Sequence, residues 1–567
     1  MLTEASLLCG HNIIAFDIPA LQKVYPWFRP KAVIRDTLVL TRLLWPTETI
    51  RDGDFKRFRA GTMPAKVIGR YSLEAWGYRL GNYKGDYAGS WLHWNVEMQE
   101  YCEQDVEVTT ALFARCEAKE PAEESVQLEH AVQTIISRQE AYGFGFDVGK
   151  AGELYSLLVQ RRTELEARLQ EVFPPWVVET PFYPKVNNKA RGYVKGELFI
   201  KRKEVTFNPS SRVHIAQRLT AQRGWEPKEY TDDGKPKVDE TVLSSLPWPE
   251  AKVLTEFLLV DKRIGQLANG KQAWLKHVKE DGRIHGRVTT NGAVTGRMTH
   301  SHPNCAQVPS GDSPYGHECR SLWVAKGRGK VLVGADADAL ELCCLAGYMA
   351  RHDNGDYVRV VLEGDKSNHT DIHSVNARAL GCDRSTAKVW FYAFIYGAGD
   401  FKLGTILEAP PGQEMNYGKR SRARFLKNLP ALGKITKRVK DRVNGKAFTP
   451  DGSKAPRHLK GLDGRKLSCR SAHSALNTLL QSAGAILMKR ALVILDDALQ
   501  AAGLVPGVNY EFVANVHDEW QIETDEDKAE YVGQQAVAAI TAAGVYYNFG
   551  CPLSGSWSAG ASWAETH

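Results

Sequence analysis

Two acidic sites in this chain stand where apolar strands would deliver them side by side. In VLVGADADALELC, Asp336 closes a short apolar run. In FVANVHDEWQIE, the residues His517, Asp518 and Glu519 lie between apolar neighbours at what reads as a hairpin tip. Carboxylates from two different strands repel one another unless they share divalent cations. Two Mg²⁺ ions held roughly 3.5–4 Å apart can activate an attacking 3′-hydroxyl and stabilise a leaving pyrophosphate. Phosphoryl transfer asks the protein mainly for that positioning and charge neutralisation. Taken singly, each acidic turn reads as a solvated loop, so the case rests on what accompanies the pair.

Between them lies DRSTAKVWFYAFIYGAGD. Arg384, Lys388, Tyr392 and Tyr396 recur at a spacing that drifts only about 40° per step around a helix, so all share one side. Gly397 and Gly399 then end the helix. A guanidinium and an ammonium one turn apart can grip a triphosphate, the first by bidentate contacts and the second as a point charge. Aromatic rings further along can stack on base and sugar. An amphipathic helix with two surface cations and two core tyrosines would show the same spacing. Beside the carboxylate pair, the phosphate-binding reading prevails.

The elements that must hold these side chains are legible in outline. Val331 to Ala335 is a short apolar strand running into acidic residues, and Tyr510 to Thr524 reads as two strands meeting at a tight polar turn. Helical stretches dominate from Leu340 to Lys446, and Asn477 to Ala502 reads as one long helix. Residues 1–120 are mixed, strand-like from Leu8 to Phe16 and helical from Tyr101 to Cys116. Glu124 to Phe173 is helical, broken near Gly143-Phe144-Gly145-Phe146, which resembles a turn into a strand. Residues 174–206 are rich in Pro and Lys with weak periodicity and read as a loop or small insertion, with short helices and turns following to about Gly265. Asp281 to Thr289 alternates around turn residues, as in a hairpin.

At 567 residues the chain exceeds one hydrophobic core and implies about three or four domains. Its hydrophobic (43%) and charged (25%) fractions are those of an ordinary soluble globular protein. No apolar run approaches the ~18 residues that span a bilayer and no signal-peptide pattern opens the chain, so no membrane is expected as a partner. Ten scattered cysteines with no C-x-x-C pair argue against a disulfide scaffold or zinc knuckle and fit a reducing cytoplasm. Lys plus Arg (73) exceed Asp plus Glu (66), and the cations cluster at Lys201-Arg202-Lys203 and between Lys419 and Arg442. Such patches suit a polyanion held without regard to sequence, though a solvated helix face has the same composition.

Five stretches carry a family resemblance: NGAVTGRMTHSHPNCAQVPS, DADALELC, RSTAKVWFYAFIYGAGD, GLDGRKLSCRSAHSALNTLLQSAGA and VHDEW. Their order, over roughly residues 280–520, resembles that of family A (DNA polymerase I-like) DNA polymerases, in particular the replicative enzymes of short-tailed bacteriophages. The resemblance implies a template-directed DNA polymerase that extends a primer 3′ end with dNTPs by two-metal-ion chemistry, in phage DNA replication within a bacterial host cytoplasm. It implies that Asp336 and Asp518 hold two Mg²⁺ ions with help from the Ala337 carbonyl, and that His517 and Glu519 sit by the primer terminus. Arg384 and Lys388 would bind the triphosphate and His373 a phosphate that is not transferred. Tyr392 would be the nucleotide-helix tyrosine that tolerates dideoxynucleotides, and Tyr396 would stack near the template base. Arg297, Gln307, Asn477 and Gln481 would contact the primer–template minor groove, where shape is read independently of sequence. Glu341 would underlie the sugar. A carboxylate packed under C2′ meets a ribose hydroxyl with a clash and a disturbed hydrogen bond, so it discriminates by repulsion.

Two positions depart from the family. Asp338 stands where a small or neutral residue is usual, and would either add charge near the metals or point at solvent. Cys343 replaces a usual arginine.

The resemblance also implies a multidomain α/β and α+β fold, a right hand of palm, fingers and thumb behind an incomplete RNase H-like 3′–5′ exonuclease domain. The expected boundaries are 1–122 for the exonuclease-like part, 123–280 for the thumb with the basic insertion 174–206, 281–345 and 471–567 for the palm, and 346–470 for the fingers. HNIIAFDIPAL supplies Asp17 and YCEQDVEVTTAL supplies Tyr101 and Asp105, while Asp36 supports the fold. The Asp-x-Glu pair that the family places ahead of Asp17 has no counterpart, since Glu4 is the sole acid there. Two aspartates leave two metals short of ligands, so the chain alone is not expected to proofread.

The 174–206 insertion falls where relatives carry a thumb loop that binds host thioredoxin. Both a processivity partner of that kind and direct DNA contact fit its basic composition. A replisome helicase-primase and a single-stranded DNA-binding protein are further implied partners. The rival readings are a single-subunit RNA polymerase, opposed by Glu341 and the 517–519 triplet, and a catalytically dead DNA-binding scaffold, opposed by the complete set Asp336, Asp518, Arg384 and Lys388. A stand-alone nuclease fits least.

Overall fold

The apolar run that closes on Asp336 is long enough to cross a sheet, and it does. In a computed structural model describing residues 2–83, 85–231, 233–449 and 452–567, it forms the strand Lys330–Ala337, inside a four-stranded sheet. On one side it pairs antiparallel with Glu519–Asp525, which pairs in turn with Tyr510–Val516; on the other it pairs with Gly555–Gly560. The register sets Asp336 directly opposite Glu519 on one neighbour and Ser556 on the other. Leu332, Val333, Ala335 and Ala337 are buried, so the strand is anchored from both faces and its acidic end is held in place.

Helices Ala475–Ala501 and Ala529–Tyr546 pack on each other, and the second lies across the sheet. Gly533 permits that approach, because a Cβ there would lie 2.1 Å from the Trp557 ring. The Ala475–Ala501 helix corrects one expectation. An 18-residue window within it has a mean hydropathy of 1.4, long and apolar enough to cross a membrane by composition alone. Its window is 78% buried inside the protein, which makes it a core helix rather than a lipid-facing one.

Helix Arg384–Ile395 begins where the Asp383 side chain accepts from the Thr386 amide at 3.0 Å. Ala387, Trp390, Phe391, Phe394 and Ile395 are buried on one side, and Trp390 stacks on Phe394 with centroids 5.3 Å apart. The opposite side carries Arg384, Lys388, Tyr392 and, at the C-cap, Tyr396.

The chain divides into two compact units, Met1–Gly145 with His285–Ser310 and Trp323–His567, and Phe146–Ile284 with Gly311–Leu322. Every element named so far belongs to the first. The second contains helices Val148–Val172, Arg212–Arg223 and Pro249–Ile264, the first and last packed together. It also holds an antiparallel ribbon, Trp176–Phe182 paired with Phe199–Val205. Those ribbon residues fall in the stretch read as a loop or small insertion. Apart from half-buried residues at its ends, the ribbon is exposed on both faces, so no apolar–polar alternation marks it in the sequence.

Two further expectations change. Arg287–Thr289 pairs with Thr299–Ser301, not within an Asp281–Thr289 hairpin, because the glycine-containing segment between them makes the return. The strand expected from Leu8 to Phe16 ends at Gly10, where it pairs in parallel with Val33–Asp36. Beyond it the chain turns at Asn12, and Asp36 accepts from the amides of Asn12 (2.9 Å) and Ile14 (3.2 Å), which holds the turn out of the sheet.

Candidate active site

The hairpin turn at His517 and Asp518 needs a positive φ, and His517 supplies it at 60°. That turn lays Asp518 against the end of the central strand: the Ala337 amide donates to the Asp518 carbonyl at 3.1 Å. Asp336 and Asp518 are thus neighbours, although 182 positions separate them in the chain. Asp336 Oδ1 is buried with no hydrogen-bond partner. Burial, then Asp518 and Glu519, push its carboxyl up to about 7. Burial also raises Asp518 above the usual range. Desolvation and the charges of Asp518 and Glu519 hold Asp336 against ionisation, while Asp518 is held by desolvation with Arg297 and His517 acting the other way.

Glu519 is placed differently from the other two. Its buried carboxylate accepts from Gln521 Nε2 at 2.7 Å and from the Trp563 indole, and lies 3.2 Å from His567 Nδ1. It ties the 517–518 turn to Trp563 and His567. His517 is held below its usual pKa by burial and by Arg297, which keeps its ring neutral near pH 7.

Glu341 opens the helix Leu340–Asp353 and receives two donors. Arg297 Nη2 lies 3.2 Å from Oε1, and the Tyr396 hydroxyl donates to Oε2 at 2.5 Å. The carboxylate thus joins the NGAVTGR segment to the end of the cationic helix. Tyr392 lies one turn back, its ring 6.4 Å from Tyr396 and 5.8 Å from His373.

Asp371 is the residue that sequence reading passed over. It caps helix Ile372–Leu380 by accepting from the His373 amide, and it grips Arg384 with Nη2–Oδ2 at 2.8 Å and Nε contacts at 3.1 and 3.2 Å. Arg384 holds that carboxyl far below its ordinary range. An Asp two residues ahead of a histidine, at a helix start facing a known cation, was the available signal. His373 is buried with Nδ1 unpartnered, and burial, Arg384 and Lys388 lower its pKa. Lys388 is exposed and, among the described residues, forms no ion pair. The cluster offers an anion one arginine, one lysine and one imidazole.

A family description, DNA polymerase family A, matches residues 189–565. The DNA-directed DNA polymerases of Escherichia phage T7 and Enterobacteria phage T3 are each 36% identical over 666 aligned residues, spanning 100% of this chain and 93% of theirs. A solved structure of the POL domain of Pol1 from M. smegmatis, in complex with DNA primer-template and dNTP, superposes with a TM-score of 0.68 at 18% identity. The match covers 96% of this chain and 84% of that one. The chain belongs to DNA polymerase family A.

As a family A DNA-directed DNA polymerase, it falls in a group that uses divalent metal ions. The donor set fits such ions. Among the described residues no cluster of three or more His, Cys, Asp or Glu side chains forms a closed metal site. Mg²⁺ is suited to a site of one or two carboxylates completed by phosphate oxygens and water, and the adjacent Asp336 and Asp518 have the chemistry for one.

The two departures from the polymerase family pattern lead to one segment. The Asp338 carboxylate accepts from the hydroxyls of Ser554 (3.0 Å) and Ser556 (3.3 Å), so it is anchored rather than pointing freely at solvent. Cys343 is buried and meets the Cys551 thiol. Residues 551–556 supply partners for both substitutions.

Of the four residues expected at the primer–template, Asn477 and Gln481 sit one turn apart and line a cavity of about 310 Å³. Arg42, Asn291, Arg465 and Arg470 share its wall. Gln307 is exposed at the end of the separate turn Cys305–Gln307, and Arg297 is drawn to Glu341. In the exonuclease-like segment, Tyr101 and Asp105 lie one turn apart on helix Val96–Glu117, and exposed Asp17 opens helix Asp17–Val24. Asp36 is buried and structural, accepting from the Leu38, Asn12 and Ile14 amides.

Proposed function

We propose that this polymerase extends a DNA primer 3′ end with dNTPs on a DNA template, using two Mg²⁺ ions held by Asp336 and Asp518 with the Ala337 carbonyl. The observation that carries this reading is the buried, unpartnered Asp336 oxygen beside Asp518, with its carboxyl pushed up to about 7. When bound, such ions would lower the pKa of the primer hydroxyl and neutralise charge on the leaving pyrophosphate.

The remaining work falls to the chain. Arg384 and Lys388 bind the triphosphate, and His373 contributes a neutral imidazole. In this arrangement Asp371 occupies Arg384, and an incoming triphosphate exchanges for it; the helix then moves toward the carboxylates so that base-pair shape is tested before chemistry. Tyr392 packs on the sugar, Glu341 excludes a 2′-hydroxyl and Tyr396 stacks near the template base. Glu519 acts as a positioning residue for the Asp518 turn, and His517 faces the primer terminus. Arg297, Gln307, Asn477 and Gln481 read the minor groove.

Segments 281–345 and 471–567 serve as palm, 346–470 as fingers, 123–280 as thumb and 1–122 as an exonuclease-like domain. A replisome in a bacterial host cytoplasm, with helicase-primase and single-stranded DNA-binding protein, is the setting we assign. Primer extension with and without dNTPs, on matched and mismatched ends, tests the reading. Extension by Asp336→Ala equal to that of the parent would overturn it.

A further inference from the structure

Asp338 follows Asp336 by two residues, and the sheet decides where its carboxylate goes. Register sets Asp336 opposite Ser556 and Ala337 opposite Gly555. One step further, the Asp338 amide donates to the Ser554 carbonyl at 3.0 Å, so the pairing continues to Asp338 opposite Ser554. Residues two apart on a strand share a face, and so do directly paired residues on neighbouring strands. Asp336, Asp338, Ser554 and Ser556 therefore lie on one face. The side chains agree with this: Asp338 Oδ2 accepts from the Ser554 hydroxyl at 3.0 Å, and Oδ1 from the Ser556 hydroxyl at 3.3 Å. Ser556 stands directly across from Asp336, so one hydroxyl that tethers Asp338 rises beside the Asp336 carboxylate.

Three further features fix the position. Gly555 lets its strand approach, because a Cβ there would lie 2.7 Å from the Asp336 carbonyl oxygen. The Cys343 thiol donates to the Asp338 carbonyl oxygen at 3.7 Å. Ala339 takes a left-handed φ of 48°, which turns the chain from strand into helix immediately after Asp338. A side chain at that φ is a strained choice, and such strain gathers at functional sites.

Asp338 has bonding capacity left to use. It is exposed and, among the described residues, forms no ion pair. Each carboxylate oxygen has two acceptor sites and here carries one hydroxyl, so one site on each stays open. Asp518 and Glu519 flank Asp336 on its other side, so Asp338 continues the negative charge across the strand. Like charges so close repel one another, and two hydroxyls holding a third carboxylate there fit a site meant for cations.

We propose that Asp338 is a third carboxylate of the divalent-ion site, working through water rather than by direct ligation. The inference rests on the two-ion reading above and deepens it. Direct ligation is opposed because, among the described residues, no three His, Cys, Asp or Glu side chains converge closely enough to hold an ion. Mg²⁺ gives up its waters reluctantly, and a tethered carboxylate with open acceptor sites suits those waters. Asp338 is thus a positioning residue: it touches neither substrate nor reacting atoms, and it raises ion affinity from the side of Asp336 away from Asp518.

The test titrates Mn²⁺ alone into the full chain at pH 8 and reads the free ion by electron paramagnetic resonance. Asp338→Asn and Asp338→Ser should each weaken the apparent Kd about 10-fold, and Asp338→Glu should recover part of the loss. Two neutral variants are used so that if one fails to fold the other reports, with thermal unfolding of the metal-free protein as the check. A carboxylate that merely clamps two strands predicts a lower thermal midpoint and the parent's Mn²⁺ affinity, and that result overturns the proposal. Asp336→Asn is the reference and should lose more affinity than either neutral variant. If it loses Mn²⁺ while both Asp338 variants keep the parent Kd, the role of Asp338 falls and the two-ion reading stands. If Asp336→Asn binds Mn²⁺ as the parent does, the two-ion reading fails and this inference with it.

Discussion

The Tyr396 hydroxyl donates to Glu341 at 2.5 Å, and the same carboxylate accepts from Arg297 at 3.2 Å. One acidic side chain thereby links three segments that are remote in sequence. A carboxylate held by two donors cannot swing aside to admit a ribose hydroxyl. Glu341→Ala should therefore raise the ribonucleotide-to-deoxynucleotide ratio of kcat/KM by about 100-fold or more. Tyr396→Phe removes one hydrogen bond to a charged group, worth about 1.5–3 kcal/mol at most, and should relax selection less. Competitive incorporation of matched rNTP and dNTP measures both.

Asp371 and Arg384 give a second outcome. Since Asp371 holds the guanidinium that would grip the triphosphate, Arg384→Ala should raise KM for dNTP by about 10- to 100-fold, a loss of charge-assisted hydrogen bonds. Lys388→Ala should lower kcat/KM by about 100-fold or more, if its charge is used chiefly in the transition state. Asp371→Asn should weaken the cap of the His373 helix as well as free Arg384, so its thermal stability is measured beside its KM.

The carboxylate pair sets a pH dependence. Asp336 has a folded pKa of about 7, above its ordinary 3.8. The folded, metal-free protein therefore binds more protons than the unfolded chain between about pH 4 and pH 7, and stability through this group falls as pH rises across that window. Mg²⁺ must displace the proton, so its apparent affinity should weaken by up to about tenfold per unit below pH 7. Calorimetry with and without added Mg²⁺ should show stabilisation growing from pH 6 to 8, towards a total of about 2.7 kcal/mol where Mg²⁺ stands at 100 times Kd. Asp336→Asn should abolish the pH-dependent part.

Mismatch excision provides a fourth. Asp17 and Asp105 are the two acids we assign to an exonuclease-like site, since the Asp36 carboxylate is spent on backbone amides. Without dNTPs, this chain on its own should shorten a mismatched primer no faster than its Asp17→Ala variant. Faster shortening by the parent would mean that two aspartates suffice.

Much of the polymerase centre was legible in the residues. Apolar strands ending in acids and a four-residue repeat of Arg, Lys, Tyr and Tyr reflect strand and helix periods that local sequence encodes directly. The Ala475–Ala501 helix and the turn at His517 and Asp518 appeared where patterning put them. The ribbon at 176–205 did not, because a sheet exposed on both faces has no alternation to reveal it.

By itself, then, the chain determined which residue types stand at helical and strand spacing, because those periods are local. Only the tertiary structure decided which of them meet. Asp518 reaches Asp336 through a backbone hydrogen bond to Ala337, Asp371 captures Arg384, and Glu519 turns inward to Trp563. Each of these depends on register and packing between distant segments, where burial and charge act across space and leave no mark on sequence spacing.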